Sequence, residues 1–402
     1  MTSVKMPSIS TATSIVKSSA HCTYPGGRSV LVPVVRASTV LFESLQHMES
    51  ARQRRDTHKV FTYGSKGNPT NFSLEDLIAE LEGGFRTRLF PTGLAAIAMV
   101  FTAYFHPGDH ILISDAVYQP VRCLVSNFCE KFGIRVTFFQ PTGEDLERKI
   151  EARSRGIYVE SPGSIFYEMC DLPEIAAIAR KHALLVIADN TWGSAIRYSP
   201  LRLGADVSIV AATKYLSGHA DVMMGAVTTT EDAWSTLFRM CETFGMTVSP
   251  DDSYLVLRGI RTLAARMDVH ERGALVVAQW LARHGNVAHV FCPALPGHPQ
   301  HNLWRRDCRG TNGLLTIQLR DLNDDQVRIF IDSLNLFGIG ASWGGFESLI
   351  TPCNMVEARS LTDWSGHTHV LRLHIGLEDP NDLVSDLRQA FEISGGITDR
   401  RT

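Results

Sequence analysis

Lys214 is the residue of this sequence whose setting most strongly suggests chemistry. It follows an apolar run at 207–210 and lies in a loop among small and apolar residues. Burial disfavours an ammonium, so a lysine in such a setting has a lowered pKa and a neutral amine that can attack an aldehyde and carry a proton. The alternative is a lysine at a strand end whose ammonium reaches solvent.

Asp189 supplies a carboxylate at the end of another apolar run, 184–188. A buried carboxylate needs a cationic partner. A protonated pyridine nitrogen would serve, and the protonated ring would then act as an electron sink. The alternative is that Asp189 caps the helix that follows it.

Four further residues have types and positions that suit binding of a small molecule. Gly93 lies in a turn that opens a helical pattern, where free N–H groups suit a phosphate. Tyr118 could lie flat against an aromatic ring, and Trp343, beside paired glycines, could form a pocket wall. Arg372, in a short apolar strand, offers a planar fork for a carboxylate. Each also has an ordinary interpretation: a plain helix start, a packing aromatic ring or a solvated arginine.

Short β-branched runs alternate with helical patterns through the middle of the chain. The runs predict strands at 111–114, 157–160, 184–188, 207–210 and 226–229. This alternation predicts an α/β fold with a largely parallel sheet covered on both faces. Ligands of such sheets bind beyond the carboxyl ends of the strands, so the loops after these runs should carry the chemistry.

The pattern changes after residue 250. A long helical pattern at 254–284 is predicted to lead out of the first domain. Runs at 313–320 and 369–375 then predict half-buried strands of a smaller α+β domain, and 380–392 predicts its closing helix.

Composition and charge favour a small-molecule partner. The chain has 402 residues, 44% of them hydrophobic, which can bury more than one core. The net charge of -3 and the scattered basic residues exclude an electrostatic footprint for nucleic acid, and no apolar run could span a membrane. The 8 cysteines lack zinc-site spacing and disulfide density, so we expect reduced thiols, no metal and a cytoplasmic protein. The opening, rich in Ser and Thr, is interpreted as a flexible arm rather than a transit peptide.

Segments along the chain from 35 to 391 together resemble the cysteine and methionine metabolism family of pyridoxal-phosphate enzymes. They are Arg36-Ala-Ser-Thr39, Tyr63-Gly-Ser-Lys-Gly67, Leu81-Glu-Gly-Gly84, Glu160-Ser-Pro-Gly-Ser164, Ala188-Asp-Asn-Thr-Trp192, Ala211-Ala-Thr-Lys-Tyr-Leu216, Ser342-Trp-Gly-Gly345 and Arg372-Leu-His-Ile-Gly-Leu-Glu378. Trp343 resembles the β-lyase branch, because γ-synthases and γ-lyases of the family usually carry leucine there.

The resemblance implies a fold and an assembly. The fold is the fold type I, aspartate aminotransferase-like one, with a mostly parallel seven-stranded central sheet covered by helices and a smaller α+β C-terminal domain. The implied parts are an N-terminal arm at 1–63 that contacts a neighbouring subunit, a cofactor-binding large domain at 64–258 and a small domain at 259–402. The implied assembly is a homotetramer built from catalytic dimers.

The resemblance also implies how pyridoxal 5'-phosphate is held. Lys214 would join the cofactor as a Schiff base and shuttle a proton, Asp189 would meet the pyridine nitrogen, and Tyr118 would stack on the ring. The phosphate would be held by four groups: the Gly93 and Leu94 amides, the Thr213 hydroxyl and, from a neighbouring subunit, Tyr63.

On the substrate side, the resemblance implies that Arg372, supported by Ser342 and Trp343, binds the α-carboxylate of an amino acid, with Tyr63 also nearby. The implied reaction is α,β-elimination of L-cystathionine, or of a related cysteine S-conjugate, to a thiol (homocysteine), pyruvate and ammonia. That reaction belongs to methionine biosynthesis.

Several positions depart from the β-lyase pattern. Ser65 stands where the family has arginine, Lys66 where bacterial β-lyases often have a second arginine, Cys123 where they have an acidic residue, and Ala341 where they have tyrosine. A lost charge-assisted contact is worth about 1.5–3 kcal/mol. The first alternative is therefore a β-lyase for a different cysteine conjugate in secondary metabolism.

Two further alternatives remain at this point. One is γ-elimination or γ-replacement, which Trp343 disfavours. The other is a non-catalytic binding protein that keeps the fold, which the joint presence of Lys214, Asp189 and Arg372 disfavours.

Overall fold

Two large β-sheets covered by helices, with a small two-stranded sheet at 22–29, make up the computed structural model, which describes residues 10–17, 22–55, 57–362, 364, 366 and 368–397. The helices are α1 (Thr11–Lys17), α2 (Leu45–Arg54), α3 (Pro69–Glu82), α4 (Gly93–Tyr104), α5 (Gln119–Leu124), α6 (Leu172–Lys181), α7 (Glu231–Phe244), α8 (Pro250–Ile260), α9 (Leu263–Leu281), α10 (His301–Asp307), α11 (Asp324–Asp332), α12 (Met355–Ala358) and α13 (Pro380–Ile393). The strands are β1 (Cys22–Tyr24), β2 (Gly27–Ser29), β3 (Arg86–Phe90), β4 (His110–Ser114), β5 (Arg135–Phe139), β6 (Ser154–Glu160), β7 (Leu185–Asp189), β8 (Val207–Val210), β9 (Gly225–Thr229), β10 (Val287–Phe291), β11 (Leu314–Leu319), β12 (Gly338–Ile339), β13 (Leu349–Pro352) and β14 (Val370–His374).

The larger sheet has seven strands in the order β3-β9-β8-β7-β6-β4-β5. The strands predicted at 111–114, 157–160, 184–188, 207–210 and 226–229 are confirmed as β4, β6, β7, β8 and β9. The pairs from β5 through β8 are parallel, whereas β9 is antiparallel to both β8 and β3. The connection 211–224 contains no crossover helix, so β9 must return in the opposite direction.

Both faces of this sheet are covered, as the continuous apolar runs predict. Alternate residues of β4 show the division, because Ile113 packs with α4 on one face and Leu112 packs with α6 on the other. Helices α3 and α8 add a third cluster around Leu74 and Val256. The polar loops at the strand ends are thereby left as the accessible part of the sheet.

The single long helix predicted at 254–284 is wrong, because the chain forms two helices, α8 and α9, with a break at Arg261 and Thr262. In an unbroken helix the Gly259 carbonyl would accept from the backbone four residues on. Here it accepts instead from the Thr262 N–H at 3.1 Å and from the Arg266 guanidinium at 2.8 Å. A side chain from the next turn thus ends the first helix.

The smaller sheet has five strands in the order β10-β11-β14-β13-β12, and α9 and α13 pack on it. The predicted strands at 313–320 and 369–375 are confirmed as β11 and β14, but the prediction that they are half-buried is wrong. In β14, Leu371 and Leu373 pack on the helices, while Val370 and His374 are also buried, against Phe166 and Tyr215 of the larger domain. The face of the smaller sheet that does not carry the helices is thus covered by the larger domain.

Part of the opening segment, interpreted as a flexible arm, forms helix α1. Its Ile15 is fully buried against Leu74 and Ile78 of α3. Residues 1–9 and 18–21 of that segment lie outside the described residues. The division into parts at residues 63 and 258 stays a prediction. None of the described helices is both long and apolar enough to cross a membrane.

Candidate active site

Five strand ends of the larger sheet meet along one edge. Parallel strands place their carboxyl ends together, so the residues that follow β3, β4, β6, β7 and β8 become neighbours. These ends lead to Gly93, Tyr118, Glu160, Asp189 and Lys214. Because β9 returns antiparallel, the connection that carries Lys214 stays on this edge.

The Lys214 amine lies between the two domains. Its Nζ donates to Ser342 Oγ at 2.8 Å and sits over the Trp343 ring, 5.1 Å from the ring centroid. Burial, with a smaller contribution from the positive charge of Arg372, lowers the pKa of Lys214 to about 8. The lysine is therefore not a solvated strand-end residue, and a pKa of about 8 leaves roughly a tenth of its amine neutral at pH 7, far more than for an ordinary lysine.

Asp189 is a buried carboxylate, with 7% of its surface exposed, at the end of β7. Its oxygens accept from the Thr191 N–H at 2.9 Å and from the Tyr158 hydroxyl at 3.3 Å. No lysine or arginine of the described residues lies within ion-pair distance of it. Burial raises its pKa, and the hydrogen bonds from Thr191 and Tyr158 oppose that shift. Asp189 caps a short turn rather than a helix, and within the part of the chain that the structure describes its carboxylate has no cationic partner.

The start of α4 offers free backbone donors. Thr92 is the N-cap, and its hydroxyl accepts from the Ala95 N–H at 3.0 Å, which leaves the Gly93 and Leu94 N–H groups without a partner in the helix. A Cβ at Gly93 would lie 2.8 Å from Ala211 Cβ, so only glycine allows this close approach. The predicted turn and helix start at 90–98 are confirmed.

Thr213 is less available than the resemblance implies. Its hydroxyl donates to the Met224 carbonyl at 3.1 Å and accepts from the Met224 N–H at 2.8 Å. To bind a phosphate oxygen, the hydroxyl must turn its hydrogen away from that carbonyl.

Tyr118 follows β4, and 48% of its surface is exposed on the same edge. Its backbone N–H donates to Glu160 Oε2 at 2.6 Å, which fixes the start of α5. Burial raises the pKa of Tyr118, with Glu160 adding to the shift and Arg372 opposing it. The phenol therefore stays protonated at physiological pH, and its ring face is open to a ligand.

The small domain contributes a guanidinium and a loop. Arg372 donates to the carbonyls of Ala341 at 2.6 Å and Ser342 at 3.3 Å. In the described chain no carboxylate forms an ion pair with Arg372. Trp343, on the same loop, lies 5.5 Å from the Tyr215 ring. The arginine thus has donors left over for an incoming carboxylate.

The structure does not bring the segment around Tyr63 to these residues within the one chain. Tyr63 is 50% exposed, and the backbone beside it is held by the Gly64 N–H bond to the Ser38 carbonyl at 2.8 Å. Lys66 points elsewhere: its Nζ lies 2.8 Å from the Glu242 carboxylate. That carboxylate also pairs with Arg88 at 3.6 Å, so Lys66 belongs to an ion-pair cluster centred on Glu242 of α7.

Three residues near the site were missed by reasoning from the sequence. Tyr158 bonds to Asp189, Glu160 bonds to the Tyr118 amide, and Glu82, fully buried at the end of α3, accepts from Asn190 at 2.9 Å. Their partners lie far away in the chain, so local pattern holds no signal for these contacts. The only signal for them was that Glu82 and Glu160 lie in segments that resemble the family, Leu81-Glu-Gly-Gly84 and Glu160-Ser-Pro-Gly-Ser164.

A family model described as Cys/Met metabolism PLP-dependent enzyme matches residues 12–392. The chain belongs to this family. The predicted fold type I architecture is confirmed by solved members of it. The chain superposes on the cystathionine gamma synthase from Xanthomonas oryzae pv. oryzae in complex with cystathionine with a TM-score of 0.88 and 30% sequence identity, covering 97% of this chain and 99% of that one.

Two curated members of the Cys/Met metabolism family are close in sequence along nearly the whole chain. A cystathionine beta-lyase of Bordetella avium is 45% identical over 370 residues, which are 91% of this chain and 93% of that protein. A cystathionine beta-lyase of Escherichia coli K12 is 38% identical over 367 residues, which are 89% and 92% of the two chains.

The cofactor of this family is pyridoxal 5'-phosphate, and the residues present fit it. Asp189 is a buried carboxyl group without a cationic partner among the described residues, and a pyridine N–H would supply one. Lys214 is an amine with a lowered pKa, and the start of α4 offers paired N–H groups where a side chain is excluded. The Asp189 carboxyl group, the Lys214 amine and the N–H groups that could bind a phosphate thus lie on one edge of the sheet.

Proposed function

We propose that this chain is a pyridoxal-phosphate-dependent carbon–sulfur β-lyase that acts on L-cystathionine or a related cysteine S-conjugate. The substrate's Cβ–S bond breaks with consumption of one water, and the products are a thiol, pyruvate and ammonia. The observation that carries the proposal is the position of the Lys214 amine, which lies 2.8 Å from Ser342 Oγ and over the Trp343 ring. Both of these residues belong to the loop to which Arg372 is hydrogen-bonded. The β-lyase relatives support the choice of reaction.

Arg372 would bind the substrate α-carboxylate as a bidentate partner. It is already oriented by the Ala341 and Ser342 carbonyls, so little side-chain freedom remains to be lost on binding. The substrate's Cα would then face the Lys214 amine, because both groups meet at the same loop. Lys214 Nζ would remove the α-proton, for which a pKa of about 8 is well matched.

Pyridoxal 5'-phosphate, when bound, supplies the electron sink that makes the α-proton removable. Asp189 would hold the pyridine nitrogen in its protonated form, with Tyr158 and Thr191 orienting the carboxylate. The Gly93 and Leu94 amides, with Thr213, would hold the phosphate, and Tyr118 would cover the ring.

The far end of the substrate is where a specific observation favours a second candidate, a β-lyase for shorter cysteine conjugates. Ser65 lacks the charge expected at its position. Lys66 does not compensate, because Glu242 engages its ammonium at 2.8 Å. Ala341 and Cys123 are small and exposed. The second amino-acid head of cystathionine therefore has fewer charged partners from this chain.

The proposed setting is a cytoplasmic homotetramer of catalytic dimers, in which Tyr63 of a neighbouring subunit reaches the phosphate. The 50% exposure of Tyr63 in a single chain supports a role for its ring outside that chain. The 7 cysteines whose side chains are described are all free thiols, which suits a reducing compartment.

Pyruvate release from a panel of cysteine thioethers tests the proposal. The purified enzyme is expected to release pyruvate, and the Lys214→Ala variant to release none above background. Higher turnover of S-ethyl-L-cysteine than of L-cystathionine would select the second candidate. Formation of 2-oxobutyrate in place of pyruvate would show γ-elimination, and an unchanged rate in Lys214→Ala would refute the role of the lysine.

A further inference from the structure

His374 is a buried histidine, 1% exposed, two residues beyond Arg372 on β14. Both of its ring nitrogens bond to the backbone of the loop 341–347. Nδ1 lies 3.0 Å from the Glu347 carbonyl oxygen, and Nε2 lies 3.1 Å from the Gly344 nitrogen. A carbonyl only accepts and an N–H only donates, so Nδ1 carries the hydrogen and Nε2 accepts.

The neutral form of this ring is strongly favoured by its surroundings. Burial lowers the pKa of His374 to about 3, with His270 adding to the shift and the Glu347 carbonyl opposing it. The positive charges of Arg372 and Lys214 act in the same direction as burial. The pair of hydrogen bonds is therefore unchanged over the pH range in which an enzyme of this kind is assayed.

The loop that His374 holds is the loop that carries Ser342 and Trp343. At its other end, Arg372 of the same strand donates to the Ala341 carbonyl. Gly344, in the middle, has a φ of +88°, and a Cβ there would lie 2.9 Å from Lys214 Cα. The Gly344 backbone thus packs directly on the lysine, and its N–H is the group that His374 fixes.

We propose that His374 is a positioning residue for recognition of the substrate α-carboxylate. By tying Gly344 and Glu347 to the strand that carries Arg372, it sets the distance between the guanidinium and the Ser342–Trp343 wall beside Lys214. The inference rests on the proposed function in one respect, namely that the substrate is an α-amino acid. Only 1% of His374 is exposed and the loop backbone engages both ring nitrogens, so its loss should weaken substrate capture rather than the chemical step.

The test compares His374→Phe, which keeps a planar ring but loses both bonds, with the wild type in pyruvate release from S-ethyl-L-cysteine. We expect KM to rise about tenfold or more while kcat stays within about threefold, since a weakened charge-assisted hydrogen bond to the carboxylate costs about this much in affinity. The cofactor's absorption spectrum is expected to stay unchanged. The matched control is His284→Phe, because His284 is also buried in the small domain but stacks on Phe391, 4.1 Å away. The control should keep the wild-type KM.

A second ligand separates carboxylate recognition from general damage. S-ethylcysteamine has the amine and thioether but no carboxylate, and its inhibition constant should be the same for wild type and His374→Phe within about twofold. If His374→Phe weakened the binding of both ligands equally, or if its KM did not change, the proposal would be overturned. Should His374→Phe fail to fold, His374→Asn keeps the Nδ1-side donor and is expected to show a smaller KM increase.

Failure of the proposed function is distinguishable from failure of this inference. Should the wild type release no pyruvate from any thioether, the proposed reaction is wrong, yet calorimetric binding of S-ethyl-L-cysteine and S-ethylcysteamine still measures the effect of His374. If His374→Phe weakened the binding of S-ethyl-L-cysteine but not that of S-ethylcysteamine, the positioning role would be supported. Binding of both ligands as in the wild type would contradict it.

Discussion

At the scale of single residues, the site combines an amine and a carboxylate whose ordinary charges are both opposed by burial. Lys214 has a lowered pKa and Asp189 a raised one, and neither forms an ion pair with another described residue. In a folded protein such groups are costly unless a ligand compensates them. Both are placed where one cofactor could satisfy them, so their positions are better explained by binding than by folding.

A pH-dependent prediction follows for Lys214. In cofactor-free protein, the uptake rate of pyridoxal 5'-phosphate should rise with pH through a midpoint near the pKa of about 8, because only the neutral amine reacts. Arg372→Gln removes a cation that contributes to the shift, so the midpoint should move to higher pH. Stopped-flow absorbance in the visible range measures the rate. Arg388→Gln, on α13, is the control and should keep the wild-type midpoint. An unchanged midpoint in Arg372→Gln would contradict the electrostatic account.

At the scale of elements, the end of α3 is tied to the strands that carry the site. Glu82 accepts from Asn190 Nδ2 at 2.9 Å and from Ser208 Oγ at 2.6 Å, so it links α3 to β8 and to the turn after Asp189. Burial raises the pKa of Glu82 to about 7, and the hydrogen bonds from Ser208 and Asn190 oppose that rise.

This raised pKa predicts a loss of stability with increasing pH. A carboxyl whose folded pKa is raised contributes fully below its unfolded pKa of 4.5, and the contribution is lost as pH rises through about 7. The loss is about 3 kcal/mol in unfolding free energy at pH 8. The thermal midpoint of Glu82→Gln should therefore fall less than that of the wild type between pH 5 and pH 8. Exposed Glu144→Gln should follow the wild type, and parallel behaviour of Glu82→Gln would refute the prediction.

Local pattern was sufficient for five strands of the larger sheet, for two strands of the smaller one and for the two central residues. The apolar runs ending before Asp189 and Lys214 predict strands, and the common edge of a parallel sheet predicts that their ends meet. What pattern could not supply were contacts between distant segments, such as Glu82 with Asn190 or His374 with Gly344. It also could not supply the break before α9, since that depends on the Arg266 side chain folding back on Gly259.

At the scale of the whole molecule, the site of one chain is bounded by both of its domains and, as proposed, by a neighbouring subunit. The small domain delivers Arg372 and the Ser342–Trp343 wall, while the large domain delivers Lys214 and Asp189. Within the described part of its own chain, no hydrogen bond or ring contact joins the half-exposed Tyr63 to any of these residues. A dimer that shares its sites would explain this separation.

Mixing two variants, each impaired at a different residue, tests the shared site. Lys214→Ala lacks the reactive amine, and Tyr63→Phe lacks the phenol proposed to reach the neighbour's phosphate. After unfolding and refolding together, a mixed dimer holds one site with both native residues, so the mixture should regain about one quarter of wild-type activity by statistical assembly. Pyruvate release and size-exclusion chromatography measure the outcome. Activity no greater than the mean of the two separate variants would place Tyr63 outside the neighbour's site.

The central claim is that the amine of Lys214 holds the cofactor. Borohydride reduction of the pyridoxal-phosphate-loaded protein, followed by proteolysis and mass spectrometry, should yield one modified peptide, and the modified residue should be Lys214. A modification found on another lysine, or on none, would contradict the account.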